Sequence, residues 1–127
     1  MPMETLVKAL ALSRIAFGGA TLVMPEEAMR GWIGRRAASY GGTQAVAQAF
    51  GVRDLGLGAG TLAALMSGKD AQDWVLVAAV ADLADLIATV TGEGIPLKGR
   101  LMVAGMAGTA IALSIGYAAE RSKAPAQ

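Results

Sequence analysis

The chain has 127 residues, a one-domain length, with 54% hydrophobic and 17% charged residues and a net charge of +1, where an average soluble chain is roughly a quarter charged. It contains no cysteine and no histidine, which excludes disulfides, iron–sulfur clusters, thiolate chemistry, a Ser-His-Asp arrangement and histidine-ligated haem, so no cofactor or metal is expected. The near-neutral charge leaves no footprint for nucleic acid, and a mean hydropathy of +0.50 suits a membrane protein better than a soluble globule.

Four apolar segments follow one another, each near the ~20 residues that cross ~30 Å of hydrocarbon as a helix. The first, 5–24, ends at Pro25. Arg14 interrupts it and Pro25-Glu26-Glu27 follows it instead of a small-residue cleavage site, so it is expected to stay in the protein rather than act as a signal peptide. The connection 25–42 holds Arg30, Arg35 and Arg36 with Trp32 and Ile33. It reads either as a short interfacial helix or loop or as an ordinary basic topogenic loop. The second segment, 43–66, ends at Ser67-Gly68. Its Gly56-Leu57-Gly58-Ala59-Gly60 run is not G-x-G-x-x-G, has no strand before it and no P-loop lysine after it, so it is not a nucleotide loop. The third, 74–91, ends at Gly92 and Gly94, and the fourth, 101–119, holds no charge and precedes a polar tail.

The expected fold is therefore all-α, an integral membrane four-helix bundle forming a single domain over 1–127. A soluble helical bundle is the alternative, because three of the segments carry charges. Trp32, Tyr40, Trp74 and Tyr117 fall at or near segment ends, the pattern of an aromatic belt at the headgroups. Small residues recur every four positions as Gly56, Gly60 and Ala64 on the second segment and as Ala104, Gly108, Ala112 and Gly116 on the fourth, which predicts close helix packing on those faces. Four spans put both termini on one side. The loops after the first and third spans hold five cations (Arg30, Arg35, Arg36, Lys98, Arg100) against Lys69, Arg121, Lys123 and, if it reaches the interface, Lys8 on the other side. The positive-inside rule then leans toward termini outside.

The segments also share a polar level. Arg14 lies near the midpoint of the first, Arg53 and Asp54 near that of the second, and Asp82, with Asp85 one turn on, near that of the third. An isolated charge at the bilayer centre costs ~2.5–3.5 kcal/mol on insertion scales, so these five residues are expected to pair with one another. Adjacent residues on a helix point about 100° apart, so Arg53 and Asp54 face different partners. The expected pairing is Arg53 with Asp82 or Asp85, and Arg14 with the remaining carboxylates. Asp82 and Asp85 share a helix face that Thr89 continues, and Gln44 and Gln48 extend polarity toward a mouth. Two arginines against three aspartates leave one carboxylate in surplus, as a proton relay or acid–base chemistry on a lipophilic molecule requires. A buried ion-pair network that fixes helix register is the structural alternative.

The run Gly51-Val52-Arg53-Asp54-Leu55-Gly56-Leu57-Gly58, followed by Ala81-Asp82-Leu83-Ala84-Asp85, resembles a group of small four-span bacterial membrane proteins of unknown function, DoxX-like in size and layout. The resemblance extends over about residues 10–117 and implies a four-helix integral bundle in the cell (inner) membrane. DoxX-like proteins are linked to quinone-associated redox systems, but this chain supplies no redox group of its own. Two functional expectations follow. One is an accessory or interaction subunit, whose small-residue faces meet a second copy or another membrane protein in the lipid bilayer. The other is an intramembrane enzyme or carrier that uses Arg14, Arg53, Asp54, Asp82 and Asp85 on a small lipophilic ligand, which requires a mid-depth cavity reaching the carboxylates.

Overall fold

A computed structural model describes residues 2–125. Every regular element among them is an α-helix: α1 Met3–Val23, α2 Pro25–Ile33, α3 Arg35–Ala38, α4 Gly41–Met66, α5 Gln72–Thr91 and α6 Leu97–Lys123. The four long helices coincide with the four apolar segments, and the basic connection 25–42 is helical as α2 and α3. Pro25 opens α2 at its first position, where its missing N–H costs nothing. Gly34, with φ +90° and ψ 157°, makes the corner between α2 and α3 in a backbone region that essentially only glycine enters.

Three helices, α1, α5 and α6, are long and apolar enough to cross a membrane, the build of a membrane protein. The expectation of four such spans is met by three. At 26 residues α4 is long enough. Its mean hydropathy is pulled down by Gln44, Gln48, the Arg53–Asp54 pair and its glycines.

The long helices associate in two pairs. α1 packs along α4 over most of their length and α5 packs along α6, whereas contacts between the pairs are sparse. α2 lies across one end and touches α1, α4 and α6. The glycines that permit the α1–α4 crossing are Gly18, Gly51 and Gly58. A Cβ on Gly18 would stand 2.5 Å from the Gly51 carbonyl oxygen, and one on Gly58 would stand 2.6 Å from that of Ala11. The helices therefore meet backbone on backbone, at a separation only small residues allow.

This corrects the expected packing faces. Nothing lies within 4 Å of where a Cβ on Gly56 would sit, Gly60 lies under the Trp74 ring, and only Ala64 is in the core. On α6 the buried face is Gly99, Val103, Ala107, Ala110, Ser114 and Tyr117. The Ala104–Gly108–Ala112–Gly116 stripe lies beside it, half-buried or exposed. The aromatic belt is likewise only partial. Tyr40 and Trp74 are exposed, but Tyr117 is buried with Val7, Ala64, Leu65, Ala71 and Val75, and Trp32 turns inward.

The charges form three layers. Glu4 pairs with Lys8 at 2.7 Å, and Arg121 with Asp70 at 3.3 Å, at the end that holds the termini. Arg30, Arg35, Arg36, Lys98 and Arg100 occupy the other end, where Arg100 donates to the carbonyls of Val90, Gly92 and Ile95 and so closes the C-terminus of α5. Between them, among the described residues, lie only the five charges at mid-helix. Between the two ends the outer surface is aliphatic: Leu76, Val77, Val80, Leu83, Ile87 and Val90 on α5 are exposed, as are Val46 and Val52 on α4. Apolar side chains face outward and charged ones inward, the reverse of a soluble bundle. Hydroxyls follow the same economy: Thr21, Thr61 and Ser114 are buried and each donates to a carbonyl one turn back, on Phe17, Leu57 and Ala110.

Candidate functional site

Each helix brings its charge to the seam between the two pairs by ordinary periodicity. Arg14 lies on the buried face of α1 between Ala11 and Gly18, and its Cβ abuts Gly58, whose lack of a side chain makes room for the arginine stem. Asp54 lies one turn before Gly58 on the buried face of α4. Asp82 follows Val75 and Ala78 on α5 and precedes Thr89.

The structure brings all five residues together. Arg14 donates from one terminal nitrogen to Asp82 Oδ2 across α1–α5 and holds its other terminal nitrogen 3.5 Å from Asp54 Oδ1. Arg53 is bidentate to Asp85, at 2.9 Å to Oδ1 and 2.6 Å to Oδ2. It also reaches back to its neighbour, with Nε and Nη2 at 3.3 and 3.2 Å from Asp54 Oδ1. Adjacency therefore does not keep Arg53 and Asp54 apart, because the long guanidinium arm folds over the short carboxylate. Arg14, Asp54 and Asp82 are each 7% exposed, whereas the side chains of Arg53 and Asp85 are 29% and 16% exposed. The inner half of the network is thus Arg14 with Asp54 and Asp82, and the outer half is Arg53 with Asp85. Arg53 is further covered by Phe50, whose ring centroid lies 5.0 Å from the guanidinium carbon.

A cavity of about 150 Å³ adjoins the inner half, with Arg14, Asp54, Asp82 and Asp85 in its wall. Arg53 is not part of that wall. Apart from Ser13, the remaining lining is apolar: Leu10 and Phe17 from α1, Ala28 and Trp32 from α2, and Met102, Val103, Met106, Ala107 and Ala110 from α6. Ser13, Met102 and Met106 line it and are exposed, so the cavity opens on the outer surface between α1 and α6. Gln44 and Gln48 are elsewhere. Gln44 donates to Glu26 and the Ser39 carbonyl, and Gln48 to the Leu22 carbonyl. They tie α4 to its neighbours and form no mouth.

Two residues of the site were missed by sequence reasoning. Trp32 roofs the cavity: its indole N–H donates to Thr89 Oγ1 at 2.9 Å, and its ring stacks on Phe50 with centroids 6.3 Å apart. Phe17 lines the wall one turn from Arg14. The signal for Trp32 was its place with Met29 and Ile33 on the apolar face of the short helix α2, whose other face carries Glu26, Glu27 and Arg30. That spacing marks a face packed on protein as much as one laid on lipid.

The carboxylates retain unused acceptors. Every bond to Asp54 is made at Oδ1, and the bond to Asp82 is made at Oδ2. Asp54 Oδ2 and Asp82 Oδ1 accept nothing from the described residues, and neither is sealed from open volume. The site therefore holds two buried acceptors, a guanidinium and a hydrophobic, aromatic-walled space reached from the side. Comparison with protein-family models, curated proteins and solved structures finds no match.

Proposed function

We propose that this chain is a four-span protein of the cell (inner) membrane that binds a small lipophilic molecule at the Arg14–Asp54–Asp82 end of its buried charge network. The observation that carries the reading is the cavity. Ion pairs whose only task is to fix helix register satisfy one another and need no space beside them, yet here an apolar chamber with a lateral opening adjoins the buried half of the network. Most ligand sites combine such walls with a few convergent polar groups. The same reading takes α4 as a fourth span, supported by its aliphatic outer face and the inward position of its two charges. In this layout a molecule dissolved in the bilayer reaches the carboxylates without crossing water.

The test uses Trp32 as the reporter, in a Trp74→Phe background where it is the only tryptophan. Toluene added to the protein in nanodiscs should change Trp32 fluorescence saturably. The change should be lost in Ala107→Phe, which fills the chamber without touching an ion pair. An identical response in the filled variant would remove the cavity from the account.

A second reading, an accessory subunit, is favoured by one observation. The Ala104–Gly108–Ala112–Gly116 stripe has no full cover from this chain, and space around Gly108 is open to 4 Å, as a face for a partner helix would be. Cross-linking through a cysteine placed at Ala112 tests it, since the chain has no cysteine of its own.

A further inference from the structure

Resting on the reading of the cavity as a binding site, we infer that its occupant is a small lipophilic primary amine, bound as the ammonium ion and entering between α1 and α6. Three observations converge on this class.

The first is charge. Arg14 and Arg53 face Asp54, Asp82 and Asp85, and among the described residues no other charged side chain joins the network. With all five ionised, a net negative charge is left in a buried place where uncompensated charge is costly. A monocation makes the assembly neutral, whereas an anion would double the excess. The second is hydrogen bonding. Asp54 and Asp82 both line the chamber, and each keeps one oxygen, Oδ2 and Oδ1 respectively, that accepts nothing from the described residues. An ammonium group carries several donors, an ether or ketone carries none, and donors to carboxylates form the stronger, charge-assisted class of hydrogen bond. The third is the rest of the wall. Phe17 and Trp32 present aromatic surface beside the carboxylates, a setting that attracts organic cations. Met102 and Met106 give the mouth a flexible apolar rim. A chamber of about 150 Å³ matches the volume at which an apolar protein cavity takes up benzene, so the organic part is one ring or a short chain. A bare metal ion fits less well: among the described residues no group of three or more carboxylates converges as a metal site would require.

The experiment is calorimetric titration of the protein in nanodiscs at pH 7 with three probes of one shape: benzylamine, benzyl alcohol and benzoate. Benzylamine should bind about tenfold or more tighter than benzyl alcohol, because only the amine also brings the positive charge that offsets the carboxylate excess, and benzoate should not bind. Asp82→Asn should weaken benzylamine more than benzyl alcohol and so remove most of the amine's advantage. Because that variant disturbs the Arg14 partner and can fail to fold, Ala110→Leu provides the second arm. It narrows the chamber, leaves every ion pair in place and should weaken both benzylamine and benzyl alcohol. Equal binding of amine and alcohol would overturn the assignment of an ammonium ligand while leaving a lipophilic site in place. Binding of none of the three would overturn the binding-site reading beneath it.

Discussion

Helix α4 meets α1 on one side and α5 on the other, and the two contacts are built from opposite materials. Against α1, glycines bring backbone onto backbone at the crossing, with no room for a Cβ at Gly18, Gly51 or Gly58. Against α5 the backbones stand apart, and the gap is crossed by the longest charged arms available, Arg53 to Asp85, with Arg14 to Asp82 from α1 beside it. The close contact leaves no volume, whereas the seam between the helix pairs leaves a chamber, walled mainly by α1 and α6 with the carboxylates of α4 and α5 on one side. A helix pair joined by small residues behaves as one rigid unit, whereas a seam held by long side chains keeps acceptors free and space open, as a ligand site needs.

The difference predicts a graded series of stabilities, read as unfolding of the detergent-solubilised protein. The largest loss is expected for Arg14→Gln, which strands Asp82 and weakens the hold on Asp54. Breaking a buried pair from one side costs about 3–5 kcal/mol. Restoring opposite charges by exchanging the two residues, Arg14→Asp with Asp82→Arg, should recover part of that loss, and no recovery would mean that shape rather than charge holds the seam. Gly58→Val comes next. Its new side chain would press on Ala11, Arg14 and Ile15, and overpacking of this kind costs about 1–3 kcal/mol. Trp32→Phe removes one hydrogen bond to Thr89 and should cost about 1 kcal/mol, with a larger change in ligand response than in stability. At the foot of the series, Gly56→Ala meets nothing within 4 Å and should be neutral or stabilise α4 by up to ~1 kcal/mol through helix propensity. Gly56 and Gly58 lie two residues apart on one helix, so opposite outcomes for this pair test the crossing on its own.

The sequence showed the helices more readily than their contacts. Apolar runs bounded by Pro25, Gly68 and Gly92 set the long helices to within a few residues, because breakers and membrane-scale lengths are local properties. The mid-helix level of Arg14, Arg53, Asp54, Asp82 and Asp85 was also readable, since charges in apolar segments need opposite charges and few were on offer. Which glycines pack was not. Small residues occupy several faces of α4, so period alone could not choose Gly51 and Gly58 over Gly56. Tyr117 was placed at a headgroup boundary by its position near a segment end, yet burial is decided by the partner helix: α6 runs on to Lys123, and Tyr117 lies inside it against α1 and α5. The cavity had no sequence signal at all, because it is the space left where α2 bridges two helix pairs that do not close on each other.

A charged seam inside a bilayer requires α4 to cross it, and α4 is the helix on which that is decided. The chain has no native cysteine, so single cysteines can be placed at Tyr40, Val52 and Ser67, all exposed on or beside α4, and treated in sealed vesicles with a membrane-impermeant maleimide. The account predicts labelling at positions 40 and 67 from opposite sides of the membrane and none at 52, level with Arg53. Labelling at 52, or at 40 and 67 from the same side, would mean that α4 does not span, and the buried network would then be the core of a three-span or surface-bound protein.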